Sequence, residues 1–285
     1  MQKHIVGKTS SKYLHQLMSD NVITSMHNPK VKQLVALQQK SSTRRQTGLF
    51  VAEGRREIMH ALKAGYIMES VFLCPSLMGT GEEVDEIINH SRHCVVYEVS
   101  EPVYAKIAYR GTTEGVLAVL KVRHTSLEDL LLGEQPLLIV LEAVEKPGNL
   151  GAVLRSADAA KADAVVVCDP LTDIYNPNLI RSSIGAVFTV PCVACTSEEC
   201  ISFLKHNGIR ILTAQLQDSK LYYDTDMRNA TAIVMGTEST GLTNIWRDAA
   251  DAHIRIPMLG QLDSLNVSVS AAILLFEAVR QRQTL

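Results

Sequence analysis

The sequence has little of what marks several large classes of protein. Its 285 residues include six cysteines and one tryptophan, and no apolar run approaches the length of a membrane-spanning helix, ~18 residues. Six cysteines are too few for a disulfide-stabilised secreted scaffold, and the first residues lack the apolar segment of a secretory signal. We therefore expect reduced thiols, a cytoplasmic location and no membrane partner.

An excess of charge of one sign is also missing, because 28 Lys and Arg oppose 30 Asp and Glu. The net charge of −2 nevertheless hides an uneven distribution. Residues 1–124 carry 16 basic against 11 acidic residues, a net of +5, and residues 125–285 carry 12 against 19, a net of −7. A basic face on a small domain is what phosphate binding needs, although a solvated charged surface has the same composition. The candidate phosphate contacts are Lys30, Lys32, Arg44, Arg45, Arg55 and Arg56.

The sequence contains two runs in which predicted strands and helices alternate, which indicates two α/β domains. The predicted segments are a polar extension (1–21), a first domain (22–124), a linker (125–136) and a second domain (137–285). Strands of the second domain are apolar almost throughout, as expected when both faces of a parallel sheet are covered. One of these predicted strands is 185–190, and a long helix over about 265–281 ends the chain.

The first unusual segment of the second domain, 147–157, predicts a junction of strand, turn and helix. Asn149 lies in the turn, and Arg155 lies about two turns into the helix. A glycine-rich helix start with a solvated arginine would explain this segment equally well. Only Gly148 and Gly151 follow the strand, so the G-x-G-x-x-G pattern is incomplete and an ordinary dinucleotide fold is not expected.

A second unusual segment, 235–242, follows directly after an apolar strand. Gly236 and Gly241 bracket Glu238, and glycines at a strand end let the backbone approach a ligand closely. Open α/β sheets bind ligands at this end of their strands. A plain tight turn would explain the glycines but not the carboxylate.

The third segment is 256–258 followed by 263–269, in which Ser264 can cap the final helix. Taken in order, the three segments resemble the three motifs of the SpoU (TrmH-like) RNA ribose methyltransferases, a branch of the SPOUT superfamily. Residues 28–32 and 50–54 also resemble the substrate-binding domain of that family. The resemblance covers nearly all of the chain beyond the N-terminal extension.

The resemblance implies a fold, a cofactor and an oligomeric state. It implies a C-terminal parallel-sheet SPOUT domain with a deep trefoil knot, from roughly Ala232 to the final helix. It also implies a smaller N-terminal α/β domain, like ribosomal protein L30e, that binds RNA. The implied cofactor is S-adenosylmethionine (AdoMet), held in a homodimer that forms through the C-terminal domain, without a metal ion. By resemblance, the cofactor-binding residues are Met235, Gly236, Gly241, Ile256, Met258 and Leu265.

The implied reaction is methylation of a ribose 2′-hydroxyl in structured RNA, with ribosomal RNA (rRNA) favoured over transfer RNA (tRNA). The resemblance places Arg155 beside the acceptor. Because an arginine with a pKa above ~12 is a poor base, we favour Arg155 as a group that orients phosphate or stabilises the developing alkoxide. Asn149 would fix Arg155 or the nucleotide, and Glu238 would orient either side chain. Ser264 and Asn266 would shape the site and hydrogen-bond the substrate.

Alternative functions remain open at this point. A tRNA 2′-O-methyltransferase would use the same motifs, and some SPOUT branches methylate a base. A non-catalytic RNA-binding or ribosome-assembly factor would retain the fold alone. Arg155 in the first motif favours ribose, and the intact polar motif residues argue against a decayed site.

The pair Cys192-x-x-Cys195, with Cys200 close by, is a further motif that invites a metal or redox interpretation. No second pair of ligands follows at suitable spacing, so we interpret these residues as buried structural thiols.

Overall fold

The computed structural model describes residues 21–109, 114–237, 239–262 and 264–283. The described residues form two units. The first unit takes in the chain up to Arg123 together with Tyr175–Arg181, and the second takes in His124–Ile174 and the chain from Ser182 onward. No helix among the described residues is long and apolar enough to cross a membrane.

Twelve strands and twelve α-helices make up the regular structure of the described residues. The strands are β1 (Val22–Ile23), β2 (Leu49–Glu53), β3 (Met68–Leu73), β4 (Val95–Val99), β5 (Val116–Lys121), β6 (Leu137–Glu142), β7 (Ala164–Cys168), β8 (Cys192–Cys195), β9 (Arg210–Ala214), β10 (Lys220–Leu221), β11 (Thr231–Met235) and β12 (Ala252–Arg255). The helices are α1 (Pro29–Gln39), α2 (Ser41–Thr47), α3 (Arg55–Lys63), α4 (Pro75–Met78), α5 (Glu82–His90), α6 (Glu101–Ile107), α7 (Pro147–Ala159), α8 (Pro177–Ser182), α9 (Ala186–Thr189), α10 (Ser197–His206), α11 (Asn244–Ala249) and α12 (Val267–Gln283).

The first unit is built on a mixed five-stranded sheet with the order β1-β4-β3-β5-β2. Strands β1, β4 and β3 are parallel, whereas β5 runs antiparallel to both β3 and β2. Helix α1 begins where the Asn28 side chain accepts a hydrogen bond from the Lys30 backbone N–H at 2.8 Å. Its residues Val31, Leu34 and Leu37 are buried in the core of this unit because they recur at helical spacing.

The second unit is built on seven parallel strands with the order β10-β12-β9-β11-β6-β7-β8. Strands β6, β7 and β11 are buried along their whole length, which explains their almost continuous apolar sequences. Since all the strands are parallel, the loops that follow β9, β11 and β12 leave the sheet at the same edge. The prediction of an α/β chain with a parallel sheet is confirmed.

The predicted strand at 185–190 is wrong. The chain there forms α9, which Gly185 begins with a left-handed backbone of φ 82°. A short apolar run does not distinguish a strand from a buried helical turn, and this run is such a case. One edge strand of the sheet is β8, which lies in a segment where the sequence had indicated only structural thiols.

Candidate active site

A cavity of about 420 Å³ lies at the edge of the second unit's sheet where β9, β11 and β12 end. Its volume is within the range of sites that bind small molecules and cofactors. The segments that follow these three strands are separated in the sequence and meet in the wall of the cavity. The six residues predicted to bind the cofactor all line it: Met235, Gly236, Gly241, Ile256, Met258 and Leu265.

The second motif forms a tight hairpin beside this cavity. Thr237 and Gly241 exchange backbone hydrogen bonds of 3.3 and 3.1 Å, and the Thr240 N–H donates to Thr237 Oγ1 at 3.0 Å. A Cβ atom on Gly236 would overlap the carbonyl group of Gly241, so the close approach of the two backbone segments requires glycine at position 236. Glu238, the predicted catalytic carboxylate, lies outside the described residues.

A buried carboxylate holds the chain just after this hairpin, at Thr243. Glu142, at the end of β6, is only 4% exposed. Its Oε2 accepts from the Thr243 N–H at 2.9 Å, and its Oε1 accepts from Thr243 Oγ1 at 2.5 Å. These hydrogen bonds offset the cost of removing the carboxylate from water. Sequence reasoning missed Glu142, although an acidic residue that ends a wholly apolar strand was an available signal.

The first and third motifs meet through a pair of amides. Asn266 Nδ2 donates to Asn149 Oδ1 at 3.2 Å. Asn266 Oδ1 in turn accepts from the backbone N–H and the hydroxyl of Ser268, at 3.0 and 2.6 Å. Asn266, and not Ser264, therefore caps the final helix, which begins at Val267. Ser264 instead lines the large cavity.

A smaller cavity of about 140 Å³ adjoins the large one. Its lining includes Asn149, Lys146 and Glu145, so an amide residue and two residues of opposite charge border the space beside the cofactor-sized cavity. The residues that line both cavities are Gly236, Thr237, Ser239 and Val267. The pair of cavities thus offers room for two ligands side by side.

Arg155 does not line either cavity. It is exposed on α7, six residues after Asn149, which corresponds to about 9 Å along a helix axis. The structure thus places Ser264 and Asn149 in the walls of the two cavities and Asn266 in contact with Asn149, and it leaves Arg155 apart from them.

Two polar side chains on the wall of the large cavity were not predicted. Gln215 follows β9, and Arg247 lies on α11. The Gln215 Oε1 and Arg247 Nε atoms are buried and have no hydrogen-bond partner among the described residues. A buried polar atom without a partner costs roughly 1–3 kcal/mol, so both atoms suit contact with a bound ligand. Neither residue belongs to one of the three motifs, so no sequence pattern indicated a role for them.

The six basic residues predicted to contact RNA differ in their exposure to solvent. Arg44 is 3% exposed, and its Nη1 donates to the carbonyl oxygens of Leu37 and Gln38 at 2.6 and 3.2 Å. The predicted RNA contact of Arg44 is therefore wrong, because its guanidinium is buried against the end of α1. Arg55 is half-buried, and its Nε lies 3.9 Å from Glu114 Oε2. The exposed members of the set are Lys30, Lys32, Arg45 and Arg56.

Comparison with known proteins identifies similar chains. Residues 136–276 match the model of the SpoU rRNA Methylase family, and residues 28–118 match that of the MRM3-like substrate binding domain. The 23S rRNA (guanosine(2553)-2′-O)-methyltransferase RlmP of Bacillus subtilis is 31% identical over 89% of this chain and 97% of its own length. A solved RNA 2′-O ribose methyltransferase is 39% identical, with a TM-score of 0.80, over 92% of this chain and 99% of its own. The AdoMet-bound rRNA methyltransferase from Sinorhizobium meliloti is 30% identical, with a TM-score of 0.83, over 91% and 97%.

Proposed function

This chain belongs to the SpoU rRNA methylase family, and from that premise we propose that it transfers a methyl group from AdoMet to a ribose 2′-hydroxyl of rRNA in the cytoplasm. The observation that carries the proposal is the convergence of the second and third motifs on one cavity of cofactor size. The relatives named for rRNA favour rRNA over tRNA as the substrate.

The residues that line the large cavity fit AdoMet. Bound AdoMet supplies a methyl group activated by its sulfonium, so the chemistry requires no covalent enzyme intermediate. The backbone of the glycine hairpin and the apolar side chains of Met235 and Met258 suit the adenosine part. The Arg247 guanidinium suits the carboxylate of the methionine part, and Gln215 Oε1 suits an amino group.

The substitution R247M tests this assignment. We expect it to weaken AdoMet binding about 10- to 100-fold, since a hydrogen bond to a charged group contributes roughly 1.5–3 kcal/mol. Isothermal titration calorimetry measures the affinity, and decarboxylated AdoMet serves as a second ligand whose affinity should change little. The matched control is R228M, which removes an exposed arginine of the same unit that pairs with Asp226. Equal losses for both ligands would contradict the contact with the carboxylate.

The smaller cavity suits the acceptor nucleotide. Lys146 offers a positive charge to a phosphate, and the hydrogen bond from Asn266 fixes the orientation of the Asn149 amide. The enzyme must align the acceptor with the donor and help the 2′-hydroxyl lose its proton. We assign Asn149 and Asn266 to alignment, Ser264 to the shape of the cofactor cavity, and Glu238 to the orientation of Asn149 or Arg155.

Transfer of labelled methyl groups to RNA from cells that lack this protein tests the function. We expect ribose-methylated nucleotides in rRNA after incubation with the protein and labelled AdoMet. Label in tRNA would favour the tRNA alternative, and label on a base would contradict ribose methylation. A protein that binds AdoMet but transfers no label would be a non-catalytic assembly factor.

The first unit supplies an RNA-binding domain in this proposal. The match of residues 28–118 to a substrate-binding domain supports this role, as do the exposed basic residues. We further propose a fold like that of ribosomal protein L30e for this domain. The boundary proposed at 124 lies next to Arg123, whereas the second unit includes the proposed linker 125–136 and Tyr175–Arg181 belongs to the first unit.

The triple substitution K30Q/K32Q/R45Q tests the RNA contacts. Loss of three phosphate contacts should weaken rRNA binding and reduce the slope of log K against log salt by about 2–3. The control is K161Q/K205Q/K220Q, which removes three exposed lysines of the second unit. Fluorescence anisotropy at several salt concentrations measures both quantities. The same slope in the test variant and the wild type would contradict the contacts.

A homodimer through the second unit and a trefoil knot are two further parts of the proposal. Val269 and Phe276 lie seven residues, or about two turns, apart on α12 and therefore share one face of the helix. Each of the two is 47% exposed. Such exposed apolar side chains on one helix face suit burial against a second copy. The proposed knot extends from roughly Ala232 to α12. It is supported by the loops after β11 and β12, which line a single cavity.

A further inference from the structure

Three cysteine thiols of the second unit form a cluster. Cys168 ends β7, Cys195 ends β8, and Cys200 lies in the N-terminal half of α10. Their Sγ atoms all lie within 4.8 Å of one another. Cys168 and Cys195 are partners in the register of two neighbouring parallel strands, so their side chains share one face of the sheet. This cluster is distinct from the cavities of the candidate active site.

The cluster is not the Cys192-x-x-Cys195 pair that the sequence displays. Residues three apart on a strand point to opposite faces of a sheet, so Cys192 faces away from Cys195. Burial raises the pKa of the Cys192 thiol to about 12. The thiol that joins Cys195 from the neighbouring strand is Cys168, 27 residues earlier in the sequence. Interpretation as structural thiols explains burial but not the mutual approach of three sulfur atoms.

Accessibility separates Cys195 from its two neighbours. Cys168 and Cys200 are 0% exposed, whereas Cys195 is half-buried and is thus the one partly exposed residue of the cluster. Cys195 also lies two residues before the first residue of α10, where the positive end of the helix dipole stabilises an anion. An oxidant from solvent therefore meets Cys195 first, with two buried thiols directly behind it.

The same arrangement favours the thiolate form of Cys195. Hydrogen bonds with Cys168 and Cys200 lower the pKa of the Cys195 thiol below its usual value, against the opposing effects of burial and of the charges on Glu199 and Asp169. Sharing of these hydrogen bonds raises the pKa of Cys168, which keeps its proton. The thiolate is the reactive form of cysteine, and oxidant-sensitive cysteines are typically accessible thiolates beside a second thiol.

We propose that Cys195 is a peroxide-reactive cysteine that forms a disulfide with one of the two buried thiols, Cys168 or Cys200. The Cys195 thiolate attacks one oxygen of hydrogen peroxide, the O–O bond breaks, and the departing hydroxide takes a proton from solvent to become water. The sulfur is thereby oxidised to a sulfenic acid. The neighbouring thiol gives up its proton to the departing hydroxide as its sulfur attacks, so the S–S bond forms, the S–O bond breaks and a second water leaves. Two thiols and one peroxide thus give one disulfide and two waters.

Mass spectrometry of the peroxide-treated full-length protein tests the proposal. After the remaining thiols are alkylated, we expect two fewer alkylated cysteines than in the reduced protein and a peptide in which Cys195 is linked to Cys168 or Cys200. The substitution C195S should abolish this disulfide. The matched control C192S removes a thiol of the same strand outside the cluster and should leave the disulfide unchanged. A disulfide that persists in C195S, or sulfinic acid without a disulfide in the wild type, would overturn the proposal.

A second measurement needs no variant. Brief treatment of the reduced wild-type protein with iodoacetamide at pH 6 should label Cys195 ahead of the other five cysteines, because the thiolate reacts and the thiol does not. Faster labelling of Cys94 or Cys192 would contradict the proposal. A thiophilic metal ion that copurifies in stoichiometric amount and protects all three thiols would also overturn it, because the cluster would then be a metal site.

Discussion

The substitution R155A should lower the rate of methyl transfer by about 10²- to 10³-fold, the effect of removing one group that stabilises developing charge. AdoMet affinity should change less than twofold, because Arg155 is exposed on α7 and does not line the large cavity. Single-turnover methylation with saturating RNA measures the rate, and calorimetry measures the affinity. R155A turnover equal to that of the wild type would remove Arg155 from the mechanism.

The substitution R155K separates charge from geometry in this test. Lysine keeps the positive charge but lacks the planar fork that binds a phosphate through two hydrogen bonds. Most of the rate should therefore be lost in R155K if Arg155 orients a phosphate, and most should be retained if charge alone is needed. If the rate of methyl transfer rises with pH in the wild type and this rise is absent in R155A, Arg155 would instead have a proton-transfer role.

The position of Arg155 also bears on the proposed dimer. Arg155 does not line the cavities of its own chain, which fits either of two arrangements. The acceptor nucleotide could lie over α7 of the same chain, or two copies of the chain could together complete one active site. Mixing R155A with a variant that cannot bind AdoMet distinguishes these arrangements. Activity that exceeds the sum of the two variants would show that Arg155 acts on the cofactor site of a second copy.

Much of the fold was predictable because local patterns agree with the tertiary structure. The helix predicted over about 265–281 corresponds to α12, and the helix predicted in the first motif corresponds to α7, which begins at Pro147 and so already includes Asn149. The region of α9 was not predictable, since four apolar residues suit either a strand or a helical turn. The choice depends on Gly185, whose left-handed backbone begins the turn.

The candidate site was predictable only as far as its motifs reach along the chain. Met235 and Ile256 were named together by the resemblance to the SpoU motifs, and they meet in the structure because parallel strands end at one edge of the sheet. The burial of Arg44 and the unpaired atoms of Gln215 and Arg247 depend on contacts between distant segments, which leave no local pattern. The thiol cluster is hidden for the same reason, because its members lie on neighbouring strands and a helix.

The glycine at position 236 is where the cofactor cavity should be most sensitive to substitution. In G236A the added Cβ would overlap the Gly241 carbonyl and crowd the Leu242 N–H, and both are backbone groups that cannot rotate away. The hairpin must then shift out of the cavity wall. Overpacking of this kind costs about 1–3 kcal/mol, so we expect a loss of AdoMet affinity of about 5- to 150-fold and a lower unfolding temperature.

The matched control for G236A is G260A, in the loop of the third motif. A Cβ on Gly260 meets no atom within 4 Å, and Gly260 is not among the glycines with a positive φ. G260A should therefore keep AdoMet affinity and stability close to those of the wild type. Calorimetric titration with AdoMet measures the affinity of each variant. Thermal unfolding with and without AdoMet shows whether a variant that binds weakly is still folded. If G236A binds AdoMet as tightly as G260A does, the hairpin is not part of the cofactor site.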